Sequence, residues 1–376
     1  MKRVIVGAAS VAALAMAHQA SAIEFDGFLS AGFATHDQEN ATYLDTVTDD
    51  IRFDNDSKFG LQITADVAQN MQAVAQVLAA GSDENFDLDI EWAYLDWALT
   101  DSFSLRGGKV KEPVFLISDY IEVGYAYPWI RPPQEVYRNN PINTINGLEA
   151  LYQADVGGMS LIFQPYIGTN TEAVPGTNGG VQFDASNFYG AAVQVASRSF
   201  TFQLSFLQTD VETSDLTGGG FPAAFTAEGD AQLISAGLSW DVRNFVGYTE
   251  FVTRDITDGA VNSMSALFPD QDAWYLTLGY RMGNYLPHIT IANSEADPLA
   301  GASPSPATPN PGVSQDSITL GVRYEINDSA AFKFEVQSIE PDQTNAGSTG
   351  LFNALPAGFA SGDTATLISA SVDVIF

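Results

Sequence analysis

The stretch TATLISASVDVIF at residues 364–376 restricts this chain more than any other. Ile368, Ala370, Val372, Val374 and Phe376 fall on one face of an extended strand, and Ser369, Ser371 and Asp373 on the other. Side chains alternate across a strand, so this two-residue period predicts a sheet with one apolar and one polar face. In a soluble protein the apolar face would cover a core. A strand that closes on a large aromatic, with no polar residue after it, suits an apolar face turned toward lipid and an aromatic at the interface.

The opposite end is consistent with export. Lys2 and Arg3 precede an uncharged apolar run from Val4 to Ala17, and Ala20-Ser21-Ala22 form a small-residue cleavage site. This pattern predicts a secretory signal peptide over residues 1–22 and a single mature domain over 23–376. The apolar run is shorter than the roughly 20 residues of a membrane-spanning helix. Cysteine is absent, which excludes disulfides, thiol catalysis and thiolate metal sites. Without Lys2 and Arg3 the chain keeps 13 basic residues against 46 acidic ones, a formal charge of −33. That balance argues against a nucleic-acid partner and predicts an acidic, solvated surface that attracts cations.

Alternating segments of roughly 9–13 residues recur from Ile23 onward. Tight turns are predicted at Ala68-Gln69-Asn70, Thr100-Asp101-Ser102, Gly157-Gly158, Ser197-Arg198-Ser199, Asp241-Val242-Arg243, Gly283-Asn284 and Asn327-Asp328-Ser329. Longer connections are predicted at 35–56, 81–88, 111–145, 169–186, 211–230, 255–271, 294–315 and 340–363. Short and long connections in turn require an even number of strands, so that the first can pair antiparallel with the last and leave no edge. The expected fold is all-β, a transmembrane antiparallel β-barrel of about sixteen strands. The proline-rich connection at 294–315 is expected to be a surface loop.

Loop 111–145 is the longest of these connections and the least polar. Tyr120, Tyr125, Tyr127, Trp129 and Tyr137, with the Pro132-Pro133 pair, suit packing against a wall better than exposure to water. The loop is therefore expected to fold into the lumen and narrow it. Asp119, Glu122, Arg131 and Glu135 are its candidate constriction residues, with a loop-anchoring ion pair as the competing role for Arg131. Alternation turns Arg106, Arg254, Arg281, Arg323 and Lys333 toward the lumen as candidate wall cations. Carboxylates facing cations across a narrow opening create a transverse field that orders water and orients polar solutes.

EWAYLDWALTDSFSLRGGKV at 91–110 and FLISDYIEVGYAYPWIRPPQEVY at 115–137 resemble the fourth strand and third loop of sixteen-stranded proteobacterial porins. DSKFGLQITADVAQNMQAVAQV at 56–77 resembles their second hairpin, and Phe376 resembles the insertion signal of bacterial outer-membrane barrels. The resemblance implies a passive water-filled channel for small hydrophilic solutes and ions in a Gram-negative outer membrane, often a homotrimer. It also implies contact with membrane lipid and lipopolysaccharide, and recognition of the last strand by the barrel-assembly machinery. The acidic Pro-Glu-Phe-Gly-Gly loop tip of enteric general porins is missing, so their constriction residues do not transfer one for one.

Other chemistries find little support. His18, His36 and His288 cannot supply a ligand pair, and no Gly-x-Ser-x-Gly elbow or phosphate-binding glycine loop occurs. Neither an enzyme nor a resident cofactor is expected; Asp45, Asp49 and Asp50 are the candidate ligands for Ca²⁺. A modest cation preference follows from the net charge. The competing readings are a substrate-selective channel, an adhesive or structural barrel, and an outer-membrane enzyme.

Overall fold

The computed structural model describes residues 23–82, 85–173, 182–214, 227–258, 264–266, 268–297, 313–342, 350–353, 355–356 and 358–376. The expected signal peptide at 1–22 and most of the proline-rich connection lie outside the described residues.

Among the described residues there are sixteen strands: β1 Ile23–His36, β2 Lys58–Ala68, β3 Met71–Ser82, β4 Asn85–Thr100, β5 Phe103–Lys111, β6 Thr144–Val156, β7 Met159–Ala173 and β8 Gln182–Ala196 in the first half. The second half adds β9 Phe200–Ser214, β10 Ala227–Val242, β11 Phe245–Asp258, β12 Gln271–Tyr280, β13 Tyr285–Ala296, β14 Gln315–Asn327, β15 Ala330–Pro341 and β16 Ala365–Ile375. Each pairs antiparallel with its chain neighbours, and β1 pairs with β16 to close the barrel. All seven predicted tight turns join strands on one rim. At two of them, glycines at positive φ make the reversal: Gly157 and Gly158 after β6, and Gly283 after β12.

The alternation read at the last strand holds in register. Phe376 donates its N–H to the Gly27 carbonyl at 2.9 Å and accepts from the Gly27 N–H at 2.8 Å, which carries the ladder across the closing seam. Its ring is 65% exposed on the outer surface and stacks on Phe59, centroids 6.3 Å apart. Phe245 with Tyr280, and Tyr285 with Tyr324, place further rings near the short-turn rim. Those aromatics, and exposed Leu, Ile and Phe along every wall, form the outward apolar band that lipid requires.

The strands run longer than the sequence pattern suggests. The connection expected at 81–88 is almost all strand, with Ser82 paired to Asn85, and the loops expected at 169–186 and 211–230 are likewise shortened. A strand needs only about 9–11 residues to cross the bilayer, and β4 has 16, so the hairpin rises past the apolar band. Leu88 near its tip is 75% exposed.

Candidate functional site

Residues 112–143, between β5 and β6, do not leave the barrel. The outgoing limb crosses to the far wall. There the Val114 carbonyl accepts from the Ser205 hydroxyl at 2.7 Å and the Ser235 hydroxyl at 2.5 Å, and Gln203 donates to the Pro113 and Phe115 carbonyls. The chain then turns toward β2, β1 and β16, returns along β14 to β12, and forms one helical turn, α1 Gln134–Tyr137. Trp129 is buried against the wall, its indole N–H donating to the Thr277 hydroxyl at 2.9 Å and the Thr290 hydroxyl at 3.0 Å. Inside a barrel, irregular backbone has no ladder to satisfy it, so inward-facing polar side chains of the wall take that role.

Charged wall residues do most of the holding. The Lys333 ammonium is fully buried and donates to the Gly124 and Trp129 carbonyls, both at 2.5 Å, while pairing with Asp373 at 3.0 Å. Asp373 also accepts from the Ser30 hydroxyl at 2.6 Å, so the clamp spans the β1–β16 seam. A side chain at Gly124 would collide with Ser30 and Asp373, which restricts that position to glycine. Arg323 donates to the Tyr125 and Tyr127 carbonyls and lies 4.6 Å from the Tyr125 ring centroid. Glu250 joins both limbs: it accepts from the Leu116 N–H at 2.6 Å and from the Tyr137 hydroxyl. Glu335 accepts the Ile130 N–H at 3.0 Å.

The candidate residues from the sequence separate into two groups. Asp119 stands in a 3₁₀ turn, Ser118–Tyr120, with its side chain open to water inside the barrel. The confined setting raises its pKa through burial, against opposing contributions from Arg106 and then Lys111. Arg106 lies on the wall between Asp96 at 2.8 Å and Glu149 at 3.1 Å, with Tyr94 beneath its guanidinium at 5.3 Å. Glu122 pairs across the lumen with Lys58 of β2 at 3.1 Å. Burial alone would raise the Glu122 pKa, but Lys58 and then Lys111 bring it below the usual carboxylate range.

The remaining candidates are structural. Glu135 is buried, accepts from Gln315 at 2.7 Å and does not face the opening, because α1 turns it into the wall. Arg131 pairs with Asp56 and Ser369, the anchoring role. Arg254 is buried beneath the returning limb, donating to the Asn139 carbonyl at 3.0 Å. Arg281 lies one residue beyond β12, on the short-turn rim, and pairs with Asp241 at 2.9 Å rather than standing on the wall. The sequence reading missed Lys58, Lys111, Asp56, Glu250, Glu335 and the clamping role of Asp373. Lys58 was within reach, since it shares parity with Gly60, Gln62 and Thr64 opposite the outward Phe59, Leu61 and Ile63.

At the root of the loop Glu112 is buried, and burial pushes its pKa up to about 8 against opposing contributions from Asn140 and Lys111. From the outer loop between β1 and β2, Asp45 pairs with Arg138 of the inward segment at 2.7 Å. Among the described residues no three His, Asp or Glu side chains come together in a way that could hold a metal.

The family model for Gram-negative porins matches residues 5–344. The chain is a member of the Gram-negative porin family. The porin also superposes on solved outer-membrane barrels. OmpT of Vibrio cholerae, in a trimer form, is 13% identical over 95% of this chain and 99% of that one, with a TM-score of 0.58. An anion-selective porin from Comamonas acidovorans is 12% identical over 95% and 100%, at 0.58. Salmonella typhi OmpF, in complex with daunomycin, is 13% identical over 94% and 97%, at 0.56. No curated protein matches the chain. Family and fold together make this porin a passive diffusion channel of a Gram-negative outer membrane.

Proposed function

We propose that small hydrophilic solutes and ions pass this porin between the inward loop and the β2–β6 wall, with Asp119 and Glu122 on the loop facing Lys58, Arg106 and Lys111 on the wall. The observation that carries this reading is the meeting of the Glu122 carboxylate on the loop with the Lys58 ammonium on the wall at 3.1 Å, both partly open, with Asp119 exposed in the neighbouring turn. Opposed charges of that kind set up a transverse field in a space of low polarizability. The role is transport without covalent chemistry.

Selectivity reflects two opposing features. The acidic residues concentrate cations at the mouths within about a Debye length, roughly 8 Å at physiological salt, and the narrow site is locally balanced by its cations. The result is a modest cation preference at low salt that fades as salt rises. Under a KCl gradient, Asp119→Asn is expected to move the reversal potential toward anions and Arg106→Ala toward cations. If neither moves it, the opening lies elsewhere.

The outward apolar band takes outer-membrane lipid and lipopolysaccharide as its surroundings, and the β16 strand is the segment read by the assembly machinery. Three copies form the working unit, a reading supported by the trimer form of the Vibrio cholerae neighbour. Cross-linking in intact outer membranes that captures only single chains would reject the trimer.

A further inference from the structure

On the long-loop side of the inward segment, the lumen widens into a cavity of about 400 Å³. Lys58, Arg131 and Arg138 line it together with Asp56, Glu122 and Asp373. In a sequence with 15 basic residues against 46 acidic ones, equal numbers of the two signs around one cavity stand out. Most of these charges are committed. Arg131 is held by Asp56 and Ser369, and Asp373 by Lys333, Ser30 and Ser371. Arg138 turns away to Asp45 of the outer loop, and of the two pairs whose members both line the cavity Lys58–Glu122 is the more open, with 21% and 24% of side-chain surface accessible against 15% and 5% for Arg131–Asp56. An ammonium on β2 and a carboxylate on the loop thus meet 3.1 Å apart, with water reaching both.

The geometry points to a subsite for zwitterionic solutes of amino-acid to dipeptide size, in which Lys58 takes the solute carboxylate and Glu122 its ammonium group. This rests on the channel reading above. An anion entering here meets Glu122 and the field of a strongly acidic chain; a cation meets Lys58 and Arg131. An uncharged solute gains nothing from either. A zwitterion replaces one ion pair by two charge-assisted contacts and leaves no charge without a partner. The volume lies at the lower end of the roughly 300–1,000 Å³ of small-molecule sites, which suits a solute of this size and excludes folded peptides. Gln134 and Asn143 add amide groups to the lining.

Single-channel recording in dilute KCl, where screening is weak, tests the subsite with two probes of similar size. L-alanyl-L-alanine carries both charges at neutral pH, and N-acetyl-L-alaninamide carries none. The dipeptide is expected to reduce the ion current saturably and the blocked amide to leave it unchanged. Lys58→Met and Glu122→Gln are each expected to weaken the block by about fivefold, the loss of one partly exposed charge contact. Equal block by the two probes, no block by the dipeptide, or unchanged block in both variants would overturn the subsite. Should the variants fail to fold, the comparison of probes on the unmodified protein decides. Absence of any conductance would instead overturn the channel itself.

Discussion

Replacing Lys333 with methionine is expected to raise the open-channel current and lower the thermal stability of the barrel. The ammonium is fully buried and satisfies two loop carbonyls as well as Asp373. Methionine matches the length of the stem but leaves Asp373 as an uncompensated charge and orphans the Gly124 and Trp129 carbonyls. Breaking one side of a buried pair is destabilising by about 3–5 kcal/mol. The loop turn at Gly124 loses its tie to the β1–β16 seam and retreats from its fixed position, so the current rises and grows noisier. Electrophoretic mobility after heating should show the folded form disappearing at a lower temperature. Adding Asp373→Asn to Lys333→Met removes the stranded charge and should recover part of the stability without restoring the current. An unchanged current in Lys333→Met would mean that the loop is held by its other contacts alone.

Deleting Phe376, or replacing it with aspartate, should leave most of the protein outside the folded outer-membrane fraction. The Phe376 backbone forms two hydrogen bonds with Gly27 at the seam, and its ring covers Gly27 and stacks on Phe59. A carboxylate near the interface is unfavourable by about 0–1 kcal/mol, less than a barrel of this size would lose to a core defect. The larger effect expected is on assembly, through loss of the terminal aromatic on the strand proposed above as the segment that the assembly machinery reads. A normal yield of heat-resistant barrel from the Phe376→Asp variant would contradict this.

The sequence made the wall legible and the loop only partly so. Period-two patterning is a local property, so strands such as Ala365–Ile375 and turns such as Gly283-Asn284 follow from neighbouring residues alone. The inward path of the loop was also readable from its aromatics, of which Tyr127, Trp129 and Tyr137 are buried. What could not be read was which charges hold the loop and which remain open. Asp119 and Glu135 look alike in sequence, yet a 3₁₀ turn leaves Asp119 in water and α1 turns Glu135 into the wall. Arg323 and Lys333 have the parity of wall cations and face inward as expected, but loop carbonyls more than 190 residues away occupy them. Long-range pairing of that kind leaves no trace in local periodicity. Strand ends failed for another reason: at 85–88 the alternation of Phe86 and Leu88 with Asp87 continues past the bilayer, and its acidity reads as loop.

Planar-bilayer recording of the purified barrel tests the central claim most directly. A water-filled passage narrowed by residues 112–143 should give discrete, stable conductance steps, linear in voltage and rising with salt as the bathing solution does. A membrane in which the folded protein inserts without producing any step would contradict it.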